Sequence, residues 1–524
     1  MKSGVQQKES VRLVLPGGVG AECLPESWGP ENHQQETRTL AFWDTFEWGL
    51  WFGGHLLYRC KDVFHLCSRE DGWPGTEVCE EPAGERRFWK DFDTEPMRSL
   101  LERMLGLRGL APVAEGTFRL RRCDLRNGMG KIVCRLEWTS VSAGKRDTEE
   151  LLRYCLVTPL LGYETEAARV VDHLTRLGAR TSGYGPVEVL LQHASRMPVT
   201  YTLRPAFGLE MATPAREAIR RIVRTILAIA ERNLPGILDD LDTEFLHDYR
   251  ICLRKIRSLL SLVKDVYPAG DTQRLRTILG DLARQTNRLR DLDVYLLARD
   301  EYLGLLPPEL RPSLDTMFED FSAAREREIR ITTSTMRSTT NRRLLREIAE
   351  YFSDATPHEL SPAANRPVGP LAFRHIWKRY RKIRALASGI GAETPDEAVH
   401  RLRIECKKLR YLMEFFAELF PGEEGAEMLK SLRRLQNRLG EFNDASVQQR
   451  SLLHYWKENS SGAETALGLG GLVSILYQRQ QQTRSLIVQA LEAFCSGPTA
   501  AAFRQSFKHP APATASEPPR NPHR

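Results

Sequence analysis

The sequence is notable first for what is scarce. No apolar run in its 524 residues approaches the roughly 18 that a membrane span needs. The opening MKSGVQQKES has no apolar core of a secretory signal. Ten cysteines are present, but none form a CxxC pair and no Cys/His ladder has zinc spacing. A reduced, cytoplasmic protein is the expectation. Excess charge is scarce as well. The 75 Lys and Arg face 68 Asp and Glu, for a net charge of +7. A mean charge this small does not hold a polyanion, so any such attraction has to come from local clustering. What remains is ordinary for a soluble globular chain, 41% hydrophobic and 27% charged, with length for two or three domains.

Against that background one repeat stands out. His247–Arg257 reads HDYRICLRKIR, and His400–Arg410 reads HRLRIECKKLR, 153 residues later. The offset continues without a gap: Ile251 matches Ile404, Lys255 matches Lys408, Pro268 matches Pro421, Leu282 matches Leu435 and Asp291 matches Asp444. A duplication describes architecture before chemistry. Each copy has helical spacing, with Tyr249, Cys252, Leu253, Ile256 and Leu259 on one side of the first and Leu402, Leu409 and Leu412 on that of the second. His247, Arg250, Arg254 and Arg257 fall at i, i+3, i+7 and i+10, as do His400, Arg403, Lys407 and Arg410. A solvated face mixes signs to gain i,i+4 pairs. These stripes carry no acid, so an anion is expected to neutralise them.

The paired HxxRxxx(R/K)KxR helices, with Leu282–Val294 (LARQTNRLRDLDV) and Leu435–Val447 (LQNRLGEFNDASV), resemble the CHAD family, the conserved histidine α-helical domain. The likeness covers roughly Pro205 to Phe494. It implies two pseudo-symmetric four-helix bundles whose basic faces line a central channel, and binding of inorganic polyphosphate. The domain is expected over 205–495, with repeats at about 205–353 and 371–495 and a tail over 496–524, Pro/Ala-rich from His509 and disordered.

The first 180 residues read differently. Val11–Leu15 alternates weakly, Phe42–Trp51 and Leu56–Cys67 are aromatic and β-branched, and Asn127-Gly128 between two alternating runs signals a hairpin. Pro96–Leu107 and Glu164–Leu177 have helical spacing. The region is expected to be α+β with an antiparallel sheet, joined by a linker over 181–204 to the all-α half. Phe42–Arg59 and Leu110–Arg122 are similar to the CYTH family, an antiparallel β-tunnel that binds triphosphates, with metal held by an ExExK strand. Here Glu9 matches the first acid, but Val11 and Leu13 stand where the second glutamate and the lysine belong. One glutamate is too few hard ligands for a divalent ion, so the domain reads as degenerate, without catalytic or metal-binding residues. Glu137 is the remaining candidate acid, or else pairs with Arg121 or Arg135.

A linear polyphosphate carries about one charge per phosphate, and helical spacing offers cations every ~4.5–6 Å along an axis. Arginine supplies a planar fork and lysine a mobile point charge. Direct contacts are expected from Arg250, Arg254, Lys255, Arg257, Arg403, Lys407, Lys408 and Arg410, with Arg284, Arg288, Arg220, Arg224, Arg374 and Lys378 behind them. His247 and His400 open the stripes, to touch phosphate or to bond a neighbouring helix; as metal ligands they lack acidic or thiol companions. Asp291 and Asp444, read as helix ends, are expected to orient a basic side chain. The partner is then inorganic polyphosphate in the cytoplasm, with polyphosphate granules as one option, and no cofactor. A metal-dependent triphosphatase in the first domain, using Mg or Mn, is the alternative. Nucleic acid is disfavoured, since aromatic stacking platforms are few and Tyr249 and Tyr411 read as core. Oligomeric state is left open.

Overall fold

The computed structural model describes residues 10–33, 35–69, 77–80, 87–144, 149–181, 185–263, 265–353, 361–391, 393–459, 462–495 and 497–508. They divide into two units, Met1–Tyr201 and Thr202–Arg524.

The first unit is built on an antiparallel sheet. Its strands are β1 (Val11–Val14), β2 (Pro30–Asn32), β3 (Glu36–Thr45), β4 (His55–Cys60), β5 (Val63–Ser68), β6 (Glu77–Glu80), β7 (Leu110–Arg126), β8 (Ile132–Ala143) and β9 (Glu150–Pro159). They run in the order β1-β9-β8-β7-β3-β4-β5-β6, with β2 on β7. Four helices accompany them: α1 (Gly49–Phe52), α2 (Glu95–Leu105), α3 (Glu164–Arg176) and α4 (Pro186–His193). Strand alternation gives the sheet two apolar faces. Leu136, Trp138, Cys155 and Val157 pack with Ala167, Val170 and Leu174 of α3. Phe42, Phe118, Leu120 and Tyr154 pack with Val187, Leu190 and Leu191 of α4.

Three local expectations change. Phe42–Trp51 does not stay extended to its end. The Asp44 carboxylate accepts the backbone N–H groups of Thr45, Leu50 and Trp51 at 2.7, 3.0 and 2.9 Å, which winds Gly49–Phe52 into α1. The β7–β8 turn is wider than a two-residue Asn-Gly hairpin. Asn127 Oδ1 accepts from Met129 and Lys131, and Gly130 takes the left-handed conformation at φ 75°. The expected linker contains α4, which approaches the sheet so closely that a Cβ on Gly116 would lie 2.7 Å from Leu190.

The second unit is all-helical: α5 (Ala215–Leu238), α6 (Thr243–Leu262), α7 (Ala269–Arg284), α8 (Asn287–Leu297), α9 (Arg299–Leu305), α10 (Asp315–Arg337), α11 (Thr339–Tyr351), α12 (Val368–Ala387), α13 (Asp396–Phe415), α14 (Glu423–Glu458), α15 (Ala463–Cys495) and α16 (Gly497–Phe507). The duplication is visible in the helix bounds, since α5 and α12, and α6 and α13, start 153 residues apart. The two copies also meet symmetrically. Ala215 N–H donates to Arg366 O at 2.9 Å and Val368 N–H to Thr213 O at 2.8 Å; Arg216 N–H donates to Ala364 O and Gly369 N–H to Met211 O. Each bond maps onto another under the repeat offset, and the bridge joins Pro214 to its own equivalent, Pro367. That reciprocity is the signature of a local twofold axis.

The C-terminal boundary is corrected. Residues 497–507 are not a tail but α16, because Phe503 stacks on Tyr380 at 4.0 Å and Phe507 packs on Phe373; residues 509–524 lie outside the described residues. Among the described residues no single helix is long and apolar enough to cross a membrane. The bent pair α15–α16 is long and apolar enough only when the two helices are taken together, and Leu472, Ile487, Phe494 and Phe503 of the pair are buried.

Candidate functional site

Helices α6 and α13 carry the repeated motif and pack against one another. Asp242 caps α6 by accepting from Glu244 N–H and Phe245 N–H, and Tyr249, Leu253, Ile256 and Leu259 bury its apolar side. In α13 Leu402, Leu409 and Leu412 do the same. Each helix is therefore fixed in rotation, and its cationic stripe with it.

The stripes converge. Arg254 is exposed, and its charge acts on Arg250 of its own helix and on Arg403 and Lys407 of the other. Burial, with Arg403, Arg254 and Arg410 in support, pushes Lys407 down to about 8, and Asp444 only partly opposes them. Arg250 and Arg403 are likewise held below the usual arginine value, chiefly by burial. Arg403 lies 3.6 Å from Asp444, and Asp291 acts on Arg250 in the corresponding place. Neither aspartate ends a helix as the sequence suggested; Asp291 is inside α8 and Asp444 inside α14.

Other expected contacts go elsewhere. Lys255 is buried, with Nζ donating to Leu203 O at 2.6 Å and 3.6 Å from the Glu414 carboxylate. Glu414 also lies 3.5 Å from Arg204, 3.8 Å from Arg410 and 3.8 Å from Arg433, so one buried acid gathers cations from three helices and from the segment before α5. Lys408 turns to Glu405, which also accepts from Arg379 and Lys382. Both spans thus hold an acid, Asp248 in the first and Glu405 in the second, each kept off the stripe by its burial. Arg257 and Arg284 both flank Gly280, within 3.6 and 3.7 Å of where its Cβ would stand. Arg284 pairs with Asp281, and Arg288 acts on Asp291. Arg220 pairs with Glu217 at 2.5 Å and shares a cleft with Arg224. Arg374 lines a different cleft, and Lys378 acts with Arg374 on His375. Sequence reasoning missed Arg204, Arg433, Glu405 and Glu414.

The two histidines differ. His400 Nδ1 is 2.7 Å from Asn443 Oδ1 on α14. His247 does have acidic companions: its ring and the carboxylates of Glu244 and Asp248 offer atoms within 4.8 Å of one another. The helix itself brings them together, at i−3 and i+1.

In the β unit, Val11 and Leu13 pack into the α3-side core, while Arg12 lies over the Tyr154 ring at 5.6 Å on the other face. Glu9 lies outside the described residues. Glu137 pairs with Arg122 at 3.4 Å, not with Arg121 or Arg135, because the antiparallel register sets Arg122 opposite it; Arg135 lies 3.7 Å from Asp124.

The model of the CHAD domain matches residues 203–453. Two uncharacterized proteins of Mycobacterium tuberculosis, from strains CDC 1551 / Oshkosh and ATCC 25618 / H37Rv, are 25% identical over 251 residues, 47% of this chain and 46% of each relative. The chain thus spans about half the length of the curated relatives it matches. Among solved structures, the CHAD domain from the plant Ricinus communis is similar at 22% identity and a TM-score of 0.47, over 55% of this chain and 96% of that one. PptA from Streptomyces chartreusis is similar at 20% identity and a TM-score of 0.41, over 53% and 100%. The match to the family model, over the residues that carry the duplicated helices, identifies a CHAD domain within the helical unit of this chain.

Proposed function

We propose that the helical unit binds inorganic polyphosphate in a basic channel between the two copies, along α6 and α13. The observation that carries this reading is the meeting of the stripes: Arg254 of one copy presses on Arg403 and Lys407 of the other. Like charges held together in a partly buried place cost free energy that a polyanion relieves. A linear phosphate chain is also chemically the same read from either end, which suits cations arranged about a local twofold axis. The alternative, a triphosphatase in the β unit, is weakened because Val11 and Leu13, at the positions of the family's second glutamate and lysine, pack in the α3-side apolar core.

The test is direct titration of the full chain with long polyphosphate. Arg254→Glu combined with Lys407→Glu is expected to weaken binding at least about 100-fold and to flatten the dependence of log K on log salt by about 1–2. Unchanged affinity in that variant, with an unchanged melting curve, overturns the reading. Competition by DNA and RNA at matched ionic strength separates it from nucleic-acid binding: displacement at equal phosphate concentration would favour the latter.

A further inference from the structure

A second cluster of arginines lies where the copies join. A cleft of about 620 Å³, within the ~300–1,000 Å³ of small-molecule sites, opens beside the start of α7. Arg276, Arg366 and Arg374 line it against a single carboxylate, Asp265. Arg366 and Arg374 form no ion pair among the described residues, and Arg276 donates only to Gln273 Oε1. The α7 N-terminus contributes Ala269 and Thr272 to the wall and has no side-chain cap. Leu260, Tyr267 and Ala363 supply an apolar part of the wall, with Ser261, Gln273 and Ser361 beside them.

The equivalent place in the second copy is built differently. The equivalent of Asp265 is Glu418, which accepts the backbone N–H groups of Phe207 and Leu209, the latter at 2.7 Å, and so latches that segment down. The equivalent of Leu209 is Pro362, which lines the cleft. Proline has no N–H to donate, and Asp265 is one methylene shorter than Glu418. The latch bond from residue 209 therefore has no counterpart in the first copy. Asp265 instead stands in the left-handed region at φ 67°.

The geometry points to a binding site for an organic phosphate: phosphoryl groups on Arg276, Arg366, Arg374 and the α7 N-terminus, with an apolar or aromatic body on Leu260, Tyr267 and Ala363. A nucleoside phosphate has that make-up. A bare phosphate chain would leave the apolar wall unused.

Titration of the full chain with adenosine triphosphate, inorganic triphosphate and adenosine tests this. Adenosine triphosphate is expected to bind more tightly than either of the others. Arg374→Glu and Arg276→Glu, each with an unchanged melting curve, should each weaken it at least about tenfold, as lost charge-assisted contacts do. Arg254→Glu with Lys407→Glu should leave it within about twofold, since additivity holds for separate sites. Rebuilding the latch with Pro362→Leu and Asp265→Glu should close the cleft and abolish binding with every arginine in place. The inference falls if inorganic triphosphate binds as tightly, if the Arg374 or latch variants bind normally, or if the stripe variant is the one that loses the nucleotide.

Discussion

The two copies of the repeat share a sequence pattern and divide its work unequally. In the second copy α14 runs unbroken through Glu423–Glu458, whereas in the first the same stretch breaks between α7 and α8 at Gln285-Thr286. At that break Arg250 donates to Ala283 O at 2.8 Å and to Thr286 Oγ1 at 2.7 Å, satisfying a carbonyl at the end of α7. Thr286 corresponds to Leu439, a core residue of an intact helix, so Arg403 has no such carbonyl to hold and lies beside Asp444. The second copy in turn carries two acids with shielded side chains, Glu405 and Glu414, where the first has Cys252 and Ser261. A duplicated motif therefore fixes where the cations stand, while its surroundings decide which are structural and which are left for a ligand.

The sharpest way to break this comparison is to remove an acid. Glu414→Ala would strip the partner from Lys255, Arg204, Arg410 and Arg433. It is expected to cost about 3–5 kcal/mol, as for a broken buried pair. Its counterpart Ser261→Ala should stay within about 0.5 kcal/mol. Urea unfolding of both variants decides it, and equal losses would mean that the acids do not distinguish the copies.

A smaller effect separates the motif arginines. Arg250→Ala loses two hydrogen bonds from a charged donor and should destabilise by about 1.5–3 kcal/mol. Arg403→Ala loses a pair with a largely exposed Asp444, worth about 0–1 kcal/mol. Polyphosphate affinity should rank the other way, with Arg403→Ala the more damaging. If one arginine dominated both measurements, structural and ligand-facing duties would not be divided between the copies.

Much of this was legible in the sequence, for identifiable reasons. The 153-residue offset set α6 and α13 in register, and an uninterrupted apolar period fixed which side of each helix is buried. The match to the CHAD domain over 203–453 rests on the same residues. Composition misled where long-range packing overrides it. Gly and Pro around α4 read as linker, yet Leu190 and Leu191 complete a sheet core; residues 496–508 fall in the expected tail, yet Phe503 and Phe507 anchor α16. Periodicity cannot tell a lysine in the stripe from one a step around the helix, and Lys255 and Lys408, one step around, do not share the surroundings of the stripe. Glu414 lay beyond the motif, and nothing local marks it as the meeting point of four cations.

The subtlest test concerns proton linkage at Lys407. Burial and three arginines hold it at about 8 in the folded chain, against an ordinary 10.5. Between those values the unfolded chain binds more protons than the folded one, so this residue makes stability rise as pH increases across the window. A bound polyanion favours the charged amine and raises its pKa. Binding then takes up a proton, and affinity must fall as pH rises past about 8. A one-unit rise on binding corresponds to about a tenfold loss. Lys407→Met should flatten both profiles, because only the difference between the two proteins belongs to this amine. Stability and affinity are thus predicted to move in opposite directions over one pH range, a coupling that a lysine outside the anion's field would not produce. Calorimetric titration at pH 7 and 9.5 in two buffers of different ionisation heat measures the proton directly. If uptake is the same with and without Lys407, this lysine does not face the phosphate chain, and the second copy contributes through Arg403 and Arg410 alone.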